Sequence, residues 1–503
     1  MRKPIVMRGR GRPLLSTVVT VLALVLGMGV PAASAADTAT PGAGSGQRAA
    51  ADGKLIGKPV ILTGEGVDKK AKRPRSAWRA APAPKAKTAP LSPKQAMKEA
   101  MDEARKAGAE SYLDTSKVPL TKDGQASAQA AALGLPPTDL GDEPPAQDTN
   151  QCLDRDGASS AQGETLNRWL WCQKLRIGVQ YFKIIDGEPV YQGTSSVAFH
   201  AVAVGNGKQR VLRTYLQAQY DSVEYDDWSL WDRFFTAPNL KMFILSDCAE
   251  GYDSCFATGS GIEHTFDEWD YHREWLHWDI YSDEAASTSP DKVLFHHWHF
   301  RFGGSGGGYV GPDATTADRT FRCDSAGYFS QFDVDYPKAC VNYEVIPHLQ
   351  YDISDTRVAS VARHIRVAQD TPDKTYPIEL EPKHIPGKYS GSRDDQGLQR
   401  VPDGGVVAKS NEDWKNYACN RTGPYGGDQA WRGLPPYDTA TQDCDEYPFQ
   451  STEQGASSPN WDFSVRAVPN GENRSAGGLL RWYYFSDRIL YNAADPFWVE
   501  IRD

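Results

Sequence analysis

The sequence predicts a multidomain chain: a β-rich, antiparallel, sandwich-like module followed by a small α+β domain. Three observations lead there. The chain has 503 residues, enough for two or three domains. Between 151 and 368 it is rich in aromatic and β-branched residues, set in short runs between Gly and Asp turns. Beyond 384 strand-like runs flank one stretch whose apolar residues recur at helical spacing.

In chain order, Arg2, Lys3, Arg8, Arg10 and Arg12 precede an apolar run from Leu14 to Val30 and then Ala33-Ser34-Ala35. A basic region, an apolar core and a small-x-small site make residues 1–35 a secretory signal peptide. Gly27, Gly29 and Pro31 interrupt the run, which argues against a permanent anchor. No stable membrane association is expected after cleavage, and the destination is extracellular. Residues 36–150 are rich in Ala, Pro, Lys, Gly and Asp and poor in aromatics. Such a segment buries too little apolar surface to offset its ordering entropy, so it reads as a disordered propeptide or linker. One helix is expected in it, capped by Ser92, with Pro93 in its first turn and Gly108 at its end.

Eight cysteines follow the signal, and none forms a CxxC pair. In an exported chain an even number favours disulfides over zinc. Local pairing would join Cys152 to Cys172, Cys248 to Cys255, Cys323 to Cys340 and Cys419 to Cys444.

In the module at 151–368, Val197 to Val204 and Val211 to Tyr220 flank Gly205-Asn206-Gly207, the pattern of a β-hairpin. Leu175 to Ile185, Lys241 to Leu245 and Lys292 to Phe302 are further strands. His296-His297-Trp298-His299 lacks a second cluster with ligand spacing and reads as partly buried, hydrogen-bonded histidines. The run from Gly303 to Gly308 has no phosphate-loop lysine and reads as a flexible turn. Abundant Trp and Tyr allow a sugar-binding face, although core packing is their default use.

Prolines return in the linker at 369–383, and the last domain spans 384–503. Its expected elements are a strand approaching Asp445, a strand from Trp461 to Val468, and a helix starting near Asn473. The helix carries Leu479, Leu480, Tyr483 and Tyr484 on one face, and Phe497 to Ile501 closes the domain as a strand. Its chemistry concentrates in Asp443-Cys444-Asp445-Glu446-Tyr447-Pro448-Phe449 and in Arg466, Glu472, Asn473 and Arg474. Carboxylates, an amide and arginines are the groups needed for a hydrated divalent cation and a phosphodiester. No histidine follows His384, so a histidine base is excluded unless another part of the chain lends one. Asp445 and Glu446 are then the candidate bases.

These residues resemble the secreted NucA/NucB-type deoxyribonucleases. In that family a D-x-D-E-[WY]-P run precedes a Glu/Gly pair, an R-x-V strand and an acidic-Asn-Arg-x-x-Gly segment. Here Asp443 to Pro448, Glu453 and Gly455, Arg466-Ala467-Val468 and Glu472 to Gly477 stand in that order. The resemblance implies a ββα-metal nuclease domain holding one Mg²⁺ or Mn²⁺, with DNA as substrate. It implies Asp445 as base, Asn473 as metal ligand, Glu446 and Glu453 as further ligands or orienters, and Arg466 and Arg474 on phosphate. Arg466 has the alternative of a structural bridge to Glu446, and Asn473 that of a helix cap. Cys444 stands where bacterial members carry arginine. Paired with Cys419, it would hold the carboxylate loop rigid.

The charge pattern cuts against a general nucleic-acid binder: the formal net charge is −10. A secreted metal-dependent endonuclease is the leading reading, with a cognate immunity protein expected if it acts as a toxin. The alternatives are a secreted β-sandwich protein that binds cell-wall glycan or a partner and carries an inactive nuclease-like domain, and a glycoside hydrolase using Asp445 or Glu446.

Overall fold

The computed structural model describes residues 60–63, 79–80, 110–113, 115–127, 137–249, 254–331, 334–392, 395–427, 432–492 and 495–503. All of them belong to one compact unit, Arg48–Asp503. The expected signal peptide and the helix expected at 92–108 lie outside the described residues.

The strand-rich region is one curled antiparallel sheet, not two separate sheets. Among the described residues it has 15 strands. Its frame is the long pair β1 (Leu170–Ile185) and β2 (Glu188–Gly205). β2 then pairs with β3 (Val211–Ala218), as the hairpin pattern predicts, with residues 206–210 making the turn. β4 (Lys241–Cys248), β5 (Leu276–Ser282), β6 (Leu294–Gly306), β7 (Tyr309–Thr315), β8 (Arg319–Asp324) and β9 (Ala339–Asn342) continue the sheet. A sandwich would leave its two halves unpaired. Here β1 bulges between Tyr181 and Phe182, and Phe182 then pairs with Val310 of β7, joining them. The curl brings Trp171 of β1 edge-on to Trp298 of β6 at 5.5 Å, and Trp278 of β5 to Phe300 of β6 at 6.0 Å.

The glycine run expected as a flexible turn is mostly strand. Gly303 to Gly306 extend β6, and only Gly307 and Gly308 turn. A Cβ at Gly304 would stand 2.4 Å from the Tyr181 hydroxyl, so the strand passes there only because glycine has none. The neighbouring histidines are buried: His296 lies 2.7 Å from Ser282 Oγ, and His299 2.9 Å from Asp318. All four locally paired disulfides are present.

Part of the segment expected to be disordered is built into the fold. Val60–Thr63 pairs with β1, and Glu110–Leu113 pairs in parallel with β10 (Ile346–Asp352). Val118 is buried against apolar neighbours of the C-terminal region, and Arg357 donates to the carbonyls of Thr115, Ser116 and Val118. These residues cannot build a core of their own, but they complete one built by others, which local composition does not reveal.

The C-terminal α/β region contains α1 (Ala359–Asp370), α2 (Val406–Asn420), the ribbon β11 (Gln442–Tyr447) and β12 (Ser464–Pro469), α3 (Asn470–Ser486) and β13 (Trp498–Arg502). β13 pairs in parallel with β10. α1 crosses the boundary expected at 368/369. Its apolar face at Val361, Ile365 and Ala368 packs with Leu479 and Tyr483 of α3 and Val499 of β13 in one cluster.

A buried ionic chain also ties the strand-rich and C-terminal regions. Asp495 accepts from Arg168 and Arg322, and Asp324 from Arg322 and Arg488. These five side chains are 0–1% exposed.

Candidate active site

β11 and β12 pair antiparallel with Asp445 opposite Arg466, Glu446 opposite Val465 and Tyr447 opposite Ser464. Side chains alternate along a strand, so Asp445 and Ser464 face one side of the ribbon and Glu446 the other. On the Glu446 side lies α2. Cys419 near its end is bonded to Cys444, and Lys415 stands 3.9 Å from Glu446. On the Asp445 side lies α1. His364 Nδ1 is 2.6 Å from Asp445 Oδ2, and Nε2 is 2.8 Å from Ser464 Oγ. The region without a histidine after His384 therefore receives one from α1.

A cavity of about 460 Å³ opens beside the ribbon. Asp445, Glu446, Asn473, Arg400, Lys415 and Arg481 are among its lining residues. Burial pushes the Glu446 carboxyl up to about 7. Lys415 opposes that shift, and Asp445 and Glu412 add to it. The side chain is 16% exposed, so one end of it reaches the cavity.

Asn473 is not the helix cap. α3 starts three residues earlier and Pro469 occupies the cap position, so Asn473 presents its amide from the first turn and a half. Glu472 accepts instead from the Ser360 N–H in the first turn of α1, holding the two helix starts together.

Three sequence candidates are not among the residues lining this cavity. Glu453 is exposed, with its N–H bonded to the Gln399 carbonyl. Arg466 and Arg474 are exposed, and Arg474 Nη2 lies 3.5 Å from Asn470. Nor does Arg466 bridge Glu446, whose cationic neighbour is Lys415.

Arg400 and Asn411 carried no sequence signal. Arg400 is buried, with its guanidinium 4.5 Å from the Tyr484 ring centre and 4.6 Å from that of Tyr491. Its Nη1 donates to the Ile489 carbonyl, and its Nε has no hydrogen-bond partner among the described residues. Asn411 of α2 donates to the carbonyls of Gln450 and Thr452 and accepts from Ser457, bracing the loop after the acidic run. A Cβ at Gly455 would meet the Asn411 amide at 2.3 Å, which gives the Glu/Gly pair its glycine. His364 did leave a trace. It interrupts an apolar stripe at i+3 from Val361, and a polar group on a buried face needs a partner.

Residues 404–494 match a protein-family model described as Deoxyribonuclease NucA/NucB. The chain carries a NucA/NucB deoxyribonuclease domain. No curated protein and no solved structure matches the chain. The NucA/NucB match takes in α2, the ribbon and α3. It omits α1 with His364, and also Arg400 and β13.

The donors at the NucA/NucB cavity are hard oxygens: the carboxylates of Asp403, Asp445 and Glu446 and the amides of Gln450 and Asn473. Among the described residues no three His, Cys, Asp or Glu side chains are grouped closely enough to hold an ion. That donor set fits a cation such as Mg²⁺, which keeps most of its water and takes one or two carboxylates. It matches zinc less well, because zinc sites are built mainly on histidine nitrogen and cysteine sulfur, and among the described residues none lines this cavity apart from the disulfide-bonded Cys444.

Proposed function

We propose that the chain is an exported endonuclease that hydrolyses phosphodiester bonds in DNA with the help of Mg²⁺ or Mn²⁺. The supporting observation is the convergence of Asp445, Glu446 and Asn473 on one cavity with Arg400, Lys415 and Arg481. Export is supported by the N-terminal pattern and by the pairing of all eight cysteines.

In this reading Asp445 is the base that takes a proton from the attacking water. Glu446 and Asn473 would hold the cation, which when bound supplies positive charge for the crowded phosphate oxygens. Arg400 is the principal phosphate contact. The Tyr484 and Tyr491 rings hold its planar guanidinium still at the cavity wall. Lys415 and Arg481 add charge. Such a site draws little on long-range attraction, because residues 383–503 hold 13 Lys and Arg against 17 Asp and Glu. Affinity then rests on local contacts.

The test is plasmid nicking by the purified full chain with Mg²⁺ or Mn²⁺. Expected are cleavage, its loss in EDTA, and a fall of at least about 10²-fold in Asp445→Ala. A chain that cuts neither DNA nor RNA with any divalent ion would return the binding-protein reading to first place.

A further inference from the structure

We infer that His364, supplied by α1 from outside the NucA/NucB segment, is the positioning residue of this nuclease site: its Nδ1–H holds the Asp445 carboxylate in the orientation its work as base requires. The inference rests on the nuclease reading above and deepens it.

Ser464, His364 and Asp445 are the residue types of a serine-hydrolase triad, with Oγ to Nε2 at 2.8 Å and Nδ1 to Oδ2 at 2.6 Å. Burial reverses the polarity. Ser464 is 0% exposed and does not line the cavity, so no substrate reaches the hydroxyl. Asp445, the opposite end of the chain, does line it. The reacting end is therefore the carboxylate, and the serine is the anchor.

The protons follow from the partners. An ionised Asp445 only accepts, so Nδ1 carries the hydrogen. In the neutral imidazole Nε2 then accepts from the Ser464 hydroxyl, which selects that tautomer. Occupying Oδ2 in this way leaves Oδ1 for water or ligand in the cavity.

The ring has no freedom to leave. It is 1% exposed, and α1 is tied at both ends. Ser360 N–H donates to Glu472 of α3, and Gln369 donates to the Tyr447 hydroxyl at 2.9 Å and the Val499 carbonyl at 3.1 Å. Both ends of α1 are thus referenced to the elements that carry Asn473 and Asp445. A base displaced by about 1 Å can lose on the order of 10²-fold in rate.

The test compares full-length His364→Ala, His364→Asn and His364→Gln with wild type in steady-state cleavage of a DNA oligonucleotide with Mn²⁺, alongside thermal unfolding. Asn places an amide donor where Nδ1 stood, whereas Gln reaches only toward Ser464. Expected is a fall in kcat of about 10²-fold in the Ala variant with KM little changed, recovery of most of it by Asn, and none by Gln at comparable melting temperature. Ser464→Ala should lose less, about 3–10-fold, since it frees the tautomer but keeps the Asp445 contact. Should the Ala variant fail to fold, the Asn and Gln pair still decides. Equal recovery by Asn and Gln, or a folded Ala variant with wild-type kcat, overturns the positioning role while the nuclease reading stands. A wild-type chain that never cuts overturns both.

Discussion

Glu446 shows how one side chain carries the conditions of the site. Its carboxyl ordinarily ionises near 4.5, and burial raises that to about 7. The folded state thus favours the protonated form. Stability is fully present below pH 4.5 and declines as pH rises toward 7, because ionising Glu446 then costs folding free energy. With the cation chelated, the chain should lose on the order of 2 kcal/mol between pH 5 and pH 8 from this group. Glu446→Gln should remove that loss, since an amide does not titrate. Urea melts of both chains at the two pH values check it, and an identical loss in the two would refute the assignment. Arg400 allows a second expectation. Arg400→Lys keeps the charge but loses the planar stack on Tyr484 and Tyr491, so KM for DNA should rise about tenfold. Arg466→Ala and Arg474→Ala, on exposed positions away from the cavity lining, should change it far less. Fluorescence-anisotropy titrations and initial rates separate these variants. At this scale the sequence singles out Asp445, Glu446 and Asn473 as candidates, because their types and order suffice to suggest a cation and a phosphate, and the fold places all three on one cavity. Arg400 carried no signal, and His364 left only the trace of a polar residue on an apolar stripe. An arginine among prolines and a histidine in a helical stripe acquire meaning only from what packs on them.

Among elements, α2 and β11 matter most, since β11 carries the acidic run and α2 packs behind it. Their link is Cys419–Cys444, which closes a span of 25 residues. A staple of that length contributes about 2–4 kcal/mol by restricting the unfolded chain. The double variant Cys419→Ala, Cys444→Ala should unfold earlier by that amount and lose activity, because β11 is then free to shift against α2. Calorimetry and rate measurements at a temperature where the variant is still folded check both halves; an active variant of unchanged rate would leave the disulfide a purely thermodynamic role. The cysteine pairs could be read from spacing, and all four local pairs are found. The β2–β3 hairpin was equally readable, from β-formers around an Asn-Gly turn. The start of α3 was misplaced by three residues, because Asn473 looks like a cap and Pro469 occupies the place.

In the whole molecule, the strand-rich and C-terminal regions share a core and an ionic chain. Arg168, Arg322 and Asp324 come from one, and Arg488 and Asp495 from the other. Removing one partner of a buried pair strands the others without water. Asp495→Ala leaves Arg168 and Arg322 facing a void and should cost about 3–5 kcal/mol. By the same argument residues 384–503 alone should not fold cooperatively. They would leave Arg488 and Asp495 unpaired and β13 without β10. Denaturant titration of the variant and calorimetry of the fragment test this, and a fragment with a sharp transition would show that the two regions are separable. The sequence alone determined the β-rich character, the cysteine pairs and the acidic ribbon of a NucA/NucB domain, since each depends on residues close together in the chain. Only the tertiary structure decided that the sheet curls into one piece, that Arg400 stands in an aromatic cage, and that a histidine 81 residues before Asp445 meets it at 2.6 Å. Contacts over such separations are selected by burial and by the pairing of buried polar groups, and neither quantity exists until the chain is folded.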